Sequence, residues 1–345
     1  MKFNNEIPVI DVSLLKTAES MEELHPLATT LYEVYSQIGF AYIINHGISQ
    51  TLFDTIFQQA RLFHHLPEHE KMKIVQNEFF RGYMPFATST LKVSTLGKAV
   101  KPNQSSAFIL MHEVDKADPD YIKGINLAGP NQWPSEELLP DFKSVLLHFR
   151  EEMTVLLKNL IRLFSLAFDQ SYYAFDHLFH KPTNYLRLQY YPPQPDVIPE
   201  EQYGIAPHTD YGFLTLLIQD DVGGLQVLNA NKEWIDVPPL KGGIIVNTGD
   251  MLRRVSNDTI ISTPHRVINI SGRERYSIPF FFEPNMQSMI SPIKKDKNKT
   301  TCSTIKYADY IMERIQGNYD IGAKKEENLQ VKGTLDNKSI KMSHE

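Results

Sequence analysis

Among the twelve histidines of the chain, His208 is the one followed two residues later by a carboxylate, Asp210, in the segment APHTDYG. On a strand, residues i and i+2 project from one face, so an imidazole and a carboxylate would point the same way. His265, in ISTPHRV, follows after 54 intervening residues that hold four or five strand-like runs, and a closed β-fold could return it beside the pair. Two neutral imidazoles and one carboxylate on one side of a metal leave its other positions open, the arrangement associated with non-haem Fe(II) oxygen chemistry. A His-x-Asp spacing alone is weak evidence, because it arises by chance and the same histidines could serve as surface or hydrogen-bonded residues.

A second cluster strengthens the case. Arg275 and Ser277, in GRERYSIPFFFEP, would share one face of a strand, and a guanidinium with a hydroxyl beside it suits a carboxylate gripped by charge-assisted hydrogen bonds. On the same parity Pro279 and Phe281 would line the interior, while Phe280 and Phe282 would pack as core on the other side. In RLQYYPPQPD, Gln189 and Tyr191 share parity and could reach the same interior. A metal with a carboxylate clamp points to a carboxylate-bearing cosubstrate.

These residues need a scaffold that brings distant strands together. Residues 19–36 carry apolar side chains at three- and four-residue steps and predict a helix; 39–47 reads as a strand closed by a glycine; Ser49 is a candidate cap for a helix that stops at Pro67. Residues 140–168 form the longest helical pattern, with Pro140 suited to its first turn. From 185 onward the pattern changes to short runs of strand formers, at 185–191, 213–219, 224–229, 233–238, 243–249, 265–270 and 275–283. Their spacing indicates an antiparallel sandwich or barrel. The expected fold is α+β and mainly β, a double-stranded β-helix (jelly roll) with supporting helices. Residues 303–315 predict a last helix, and 321–345, polar and without aromatic residues, a flexible tail. The expected organisation is an amino-terminal region over 1–135, a catalytic jelly roll with its long helix over 136–320, and the tail, with the helical and β parts sharing one core.

At 345 residues, with 42% hydrophobic content, the chain can bury a sizeable core, which excludes disorder as its main state. Lys plus Arg number 35 against 41 for Asp plus Glu, a net charge of −6, and no basic run exists to neutralise a phosphate backbone. No nucleic acid partner is therefore expected, and the aromatic content favours a small-molecule substrate. No stretch approaches the ~18 apolar residues of a membrane span. The single cysteine, Cys302, excludes intramolecular disulfides and Cys-based metal clusters within the chain, so a cytoplasmic setting is expected. The composition says nothing about oligomeric state.

The motifs in this order resemble the Fe(II)- and 2-oxoglutarate-dependent dioxygenases of the isopenicillin N synthase-like class. IPVIDVS (7–13), GFAYIINHGIS (39–49), FHHLPEHEK (63–71), RGYMPF (81–86) and GPNQWP (129–134) are similar to the family's amino-terminal region, and PHTDYG, DDVGGLQV, NTGDMLRRVSN, STPHRV and RYSIPFFFEP to its catalytic jelly roll. The resemblance implies that His208, Asp210 and His265 are iron ligands, that Arg275 and Ser277 bind the far carboxylate of 2-oxoglutarate, and that Tyr191 adds a carboxylate contact. It further implies Fe(II), 2-oxoglutarate and O2 as the reagents, with hydroxylation, desaturation or ring closure of a small organic substrate and release of succinate and CO2. Gln189 stands where many plant members have Asn. Gln104 to Phe108 stand where they often carry Lys-Glu before an aromatic residue. Both departures bear on the substrate, whose walls are expected from Tyr83, Met84, Phe86, Phe108, Leu110 and Phe281.

Three rivals remain at the level of sequence: an iron oxidase of the same family that does not use 2-oxoglutarate, a non-catalytic jelly-roll binding protein, and a hydrolytic zinc site. A triad with open positions argues against a structural metal, since structural zinc sites are closed by four protein ligands. Gly223 and Gly224 read as a turn, Asn247 and Asp250 as turn residues, His64, His65 and His69 as carbonyl caps or solvent-facing groups, and Cys302 as incidental.

Overall fold

The computed structural model describes residues 6–91, 101–194, 199–293 and 303–318; Cys302 and the expected tail lie outside them. The strands that build the site are, in chain order, Val9–Asp11 (β1), Phe40–Ile44 (β2), Gly82–Met84 (β3), Ser106–Met111 (β4), Tyr185–Tyr191 (β5), Ile205–His208 (β6), Leu214–Gln219 (β7), Leu225–Leu228 (β8), Trp234–Asp236 (β9), Ile244–Thr248 (β10), His265–Val267 (β11) and Arg275–Phe282 (β12). They form an eight-stranded sheet in the order β1-β2-β10-β7-β12-β5-β4-β3 and a four-stranded sheet in the order β6-β11-β8-β9. Strands from the first 111 residues thus complete the same sheet as strands from beyond residue 185.

Four helices support the larger sheet: His25–Tyr35 (α1), Gln50–His64 (α2), Phe142–Ala167 (α3) and Tyr307–Asn318 (α4). The pattern expected to be helical from residue 19 enters α1 only at His25, with Pro26 in its first turn and a 3-10 turn over Glu22–Leu24 before it. Ser49 caps α2, its hydroxyl accepting the Leu52 N–H at 3.2 Å. Pro140 lies just outside α3, whose cap position is Asp141. α4 starts four residues later than expected, because Ile305–Lys306 is extended and pairs with Met289–Ile290.

Strand alternation divides the larger sheet into two faces. Leu186, Leu188, Leu216, Ile218, Ile244, Val246, Ile278, Phe280 and Phe282 turn toward the helices and join the main core with Leu146, Phe149, Met153, Leu157 and Phe164 of α3. The opposite face meets the smaller sheet, where Tyr191, Leu217 and Ile245 pack on Leu225, Val227 and Val267. Polar residues of the larger sheet share this second face, and the site is built there.

The same packing corrects most of the expected substrate walls. In β4, Phe108 pairs with Leu188 and Leu110 with Leu186, so both face the helices; Tyr83, opposite Phe108, packs edge-on against Phe63 in the same core. Met84 is buried in that core as well, and Phe86 stands at the surface, 45% exposed. The face of β4 that continues the site carries Ala107, Ile109 and Met111 instead. Phe108 is fully buried, with ring centroids 4.9 Å from Phe63 and 5.0 Å from Phe142. Phe108→Ala is therefore expected to lower stability by roughly 3–5 kcal/mol in urea unfolding. An unchanged midpoint would show that this side chain is not part of the core.

Candidate metal centre and carboxylate clamp

The three residues singled out by spacing meet in space. β6 ends at His208, Asp210 follows on the next turn, and His265 opens β11 directly opposite His208 in the antiparallel ladder. Their potential ligand atoms all lie within 4.8 Å of one another. The Nε2 atoms of His208 and His265 stand 3.8 and 3.7 Å from Asp210 Oδ1. Each imidazole is oriented by its own strand: His208 Nδ1 is 2.8 Å from the Ala206 carbonyl oxygen and His265 Nδ1 is 3.2 Å from that of Thr263. A carbonyl can only accept, so Nδ1 carries a proton in both rings, and both Nε2 atoms are turned toward the carboxylate.

Asp210 is held by its other oxygen. Oδ2 accepts from Thr215 Oγ1 at 2.5 Å and Asn247 Nδ2 at 2.6 Å, which leaves Oδ1 to the imidazoles. Burial alone would raise this carboxyl, but the two imidazoles and the two hydrogen bonds outweigh it and hold the group below the ordinary carboxylate value. Burial, with His265 alongside, depresses His208 to about 4, so it is neutral at pH 7. A carboxylate oxygen and two imidazole nitrogens facing one point form a donor set that fits a divalent transition metal.

The clamp lies on β12 and β5 of the opposite sheet. Arg275 pairs with Tyr191 across the ladder and Ser277 with Gln189, so the four side chains share the inner face. Arg275 is fully buried. Its Nε donates to the Gly223 carbonyl, one Nη donates to Gln219 Oε1 at 3.1 Å, and the guanidinium stacks 4.6 Å from the Tyr191 ring centroid. Among the described residues Nη1 has no hydrogen-bond partner, and neither has the buried Nε2 of Gln189. Two buried donors without acceptors beside a metal-type triad fit a bound carboxylate, because leaving such groups unmet costs more than the bond itself contributes. The Gly223-Gly224 turn serves this clamp: Gly224 adopts φ +91°, and a Cβ there would come 2.3 Å from the Ile268 carbonyl oxygen.

One cavity of about 530 Å³ contains the triad together with Gln189, Tyr191, Arg275, Ser277, Pro279 and Phe281. A second of about 460 Å³ adjoins it at the triad and is walled by Tyr185, Arg187, Tyr211 and Phe281. Of the expected substrate walls, Phe281 is in place, whereas Tyr83, Met84, Phe86, Phe108 and Leu110 line neither. Thr215, Arg187 and Asn247 are site residues that sequence reasoning missed. Asn247 is not a turn residue but part of β10, and it betrays itself as a polar residue at an inward position of the apolar run IIVNT. Asp250 opens the short helix Asp250–Val255. His64 is buried, with Nε2 bonded to the Leu188 carbonyl of β5 at 2.8 Å.

Comparison with known proteins agrees with this geometry. Residues 182–284 match the family model of the 2OG-Fe(II) oxygenase superfamily, and residues 7–136 that of the amino-terminal region described as non-haem dioxygenase in morphine synthesis. The chain is 34% identical to kihadalactone A synthase of Citrus sinensis over 90% of its own length and 93% of that protein's. It is 39% identical to the 2-oxoglutarate-Fe(II) type oxidoreductase hxnY of Emericella nidulans, covering 72% of this chain and 71% of that one. The solved structure of a full-length Neurospora crassa protein in complex with alpha-KG and thymine superposes with a TM-score of 0.78 at 29% identity, covering 90% of this chain and 96% of that one.

The support of Asp210 gives a direct test. Asn247→Ala and Thr215→Val each remove one of the two hydrogen bonds to Oδ2 while leaving every donor atom of the triad in place. Fe(II) affinity, measured by anaerobic titration, should fall about 10–100-fold in each variant. Parent-like affinity in both would show that the carboxylate needs no such orientation.

Proposed function

The chain belongs to the 2OG-Fe(II) oxygenase superfamily and is a 2-oxoglutarate-dependent non-haem iron dioxygenase, and on that premise we propose which of its residues do the work. His208, Asp210 and His265 hold the Fe(II); Arg275, Ser277, Tyr191 and Gln189 hold 2-oxoglutarate; a small organic molecule is oxidised in the adjoining cavity bounded by Phe281. The observation that carries this reading is the facing of an acid-and-imidazole triad, in one cavity, by a buried guanidinium with an unmet N–H.

When bound, Fe(II) supplies the redox chemistry by which O2 and 2-oxoglutarate give succinate and CO2 while the substrate is oxidised, one oxygen atom entering succinate and, in a hydroxylation, the other entering the substrate. The chain's own residues bind and orient. Arg275 meets the far carboxylate of 2-oxoglutarate through Nη1, a charge-assisted bond in a site from which water is largely excluded. Tyr191 Oη and Ser277 Oγ, 3.4 Å apart, stand beside it as further donors, and the Gln189 amide offers Nε2 to the same cosubstrate. Leu217 and Val267 add apolar wall to the cavity. With its Nδ1 proton committed to a backbone carbonyl, each imidazole meets the metal through an Nε2 that has no proton to lose.

A small-molecule substrate is supported by the relatives, among them a structure holding thymine. No described helix is long and apolar enough to cross a membrane. We place the protein in the cytoplasm on its single cysteine.

Two sets of variants test these assignments. His208→Ala, Asp210→Ala and His265→Ala should each abolish metal-dependent 2-oxoglutarate turnover with the fold intact, and Asp210→Glu should fail too, since an added methylene displaces the ligand oxygen. Turnover surviving in any of them would remove that residue from the metal site. Arg275→Lys keeps the charge but loses the planar fork, so 2-oxoglutarate affinity should fall by roughly one to two orders of magnitude while Fe(II) affinity holds. Ser277→Ala should act in the same direction with a smaller effect, a neutral hydroxyl contributing about 0.5–1.5 kcal/mol. Titration of the anaerobic Fe(II) protein with 2-oxoglutarate, followed by the visible charge-transfer band, reads both; Arg275→Lys binding as tightly as the parent would dismiss the clamp.

A further inference from the structure

Beyond the triad and the clamp, one buried acid has no part in the chemistry described so far. Glu283 directly follows β12 and continues the alternation of Arg275, Ser277, Pro279 and Phe281 onto the inner face. It is 1% exposed, and its carboxyl accepts one hydrogen bond among the described residues, from Tyr307 Oη at 2.6 Å. The charge of Asp210, of like sign, acts on it as well. Burial, with Asp210 adding to it, pushes Glu283 up to about 8, so at pH 7 it is mainly the neutral acid, with a hydroxyl to donate and a carbonyl oxygen to accept.

An anchor for α4 would not need a carboxyl, since a neutral amide would hold the Tyr307 hydroxyl without having to take up a proton on burial. The surroundings point to a ligand instead. Glu283 and Tyr307 line a cavity of about 380 Å³ whose other walls include Met111, Ile311 and Ile315, with Tyr185, Arg187 and Tyr211 on the side shared with the cavity at the triad. The loop after His208 and Asp210 makes room for the acid: a Cβ on Gly212 would sit 2.0 Å from Glu283 Oε1. Arg187 lies between the triad and this compartment, and its charge, which already acts on His208, opposes entry of a cationic group.

Resting on the function proposed above, we propose that Glu283, oriented by Tyr307, is a substrate-binding residue that recognises a neutral group presenting a carbonyl beside an N–H, as in a cyclic amide. The protonated carboxyl donates to the carbonyl and accepts from the N–H, while the apolar walls take the rest of a small, mainly apolar substrate. The pairing fixes which edge of the substrate lies far from the triad and so which carbon lies near it.

The test uses the anaerobic protein loaded with Fe(II) and 2-oxoglutarate, its charge-transfer band recorded first, and three probes followed by calorimetry: 2-pyridone, N-methyl-2-pyridone and benzylamine. In the parent, 2-pyridone should bind at least about tenfold more tightly than N-methyl-2-pyridone, which lacks the N–H. Glu283→Leu should lose that preference, and Glu283→Gln should keep it, because a carboxamide also offers a donor beside an acceptor. Equal affinity of the two pyridones in the parent, no binding of either, or a preference that survives in Glu283→Leu overturns the proposal. Should Glu283→Leu fail to fold, the parent comparison and Glu283→Gln still decide. Benzylamine binding more tightly than 2-pyridone, and losing that affinity in Glu283→Gln, would mean an ionised carboxylate and also overturns it. A missing charge-transfer band in the parent tells against the clamp and triad assignments themselves, whereas a normal band with equal pyridone affinities tells against Glu283 alone.

Discussion

Asp210 carries a negative charge where water hardly reaches, and the rest of the site can be derived from how that charge is compensated. A lone buried carboxylate would take up a proton, since desolvation of the ion is costly by several kcal/mol. Here the two hydrogen bonds from Thr215 and Asn247 and the facing imidazoles reverse the effect, and the acid stays ionised. The compensation is incomplete: both side-chain hydrogen bonds go to Oδ2, and Oδ1 is left to the two Nε2 atoms, 3.8 and 3.7 Å away. Three potential ligand atoms directed at one point suit a cation placed between them. Across the cavity Arg275 presents the reverse situation, a buried cation with an N–H that no acceptor among the described residues meets.

What holds these groups at fixed separations is the alternation of two sheets. β6 and β11 give the triad from the smaller sheet, β5 and β12 give the clamp from the larger one, and Thr215 and Asn247 reach from β7 and β10 of the larger sheet back to Asp210. The carboxylate is therefore tied to both sheets at once. A one-residue slip of β12 would exchange Arg275 and Ser277 for Tyr276 and Ile278 at the inner face. The register is secured on the other face, where Phe280 and Phe282 are fully buried among the helices, so the same eight residues that carry the clamp also pin it.

The sequence made the clamp legible because it depended on spacing within single strands, and it made His208 and Asp210 legible by their two-residue spacing, although Asp210 lies on the turn that follows β6. His208 with Asp210, Arg275 with Ser277, and Gln189 with Tyr191 are all i, i+2 pairs, and the structure places every pair on the inner face. The expectation that Phe280 and Phe282 turn away was met for the same reason. What failed were inferences that needed the phase of one strand relative to another. β4 is buried on both faces, so the nearly uniform apolar run SAFILM gives no sign of which parity looks inward, and Phe108 and Leu110 fall on the wrong side. Asn247 was hidden by its neighbours Thr248 and Gly249, whose turn chemistry masks a strand residue. β6 escaped notice because its four residues include Pro207, a poor strand former, and its pairing with β11 is a contact between segments far apart in the chain.

The two faces of the larger sheet divide stability from chemistry, and the division explains where polar residues can be tolerated. The helix face is apolar almost throughout, with α3 laid along it, and supplies most of the burial that stabilises the chain. The inner face accumulates Arg187, Gln189, Thr215, Asn247, Arg275 and Ser277, groups that an apolar core would exclude and that here line one cavity. Such groups lower the stability of the empty chain, and the large helical core is what offsets them. The triad itself stands on the edge strand β6, the turn after it and the short strand β11, so its placement leans on the larger sheet, whose central strands carry the clamp and the support of Asp210. β12 lies between β5 and β7 and β10 between β2 and β7, so the clamp and the support of Asp210 both stand on strands held from both sides, and the geometry that separates a productive contact from a missed one is set before any ligand arrives.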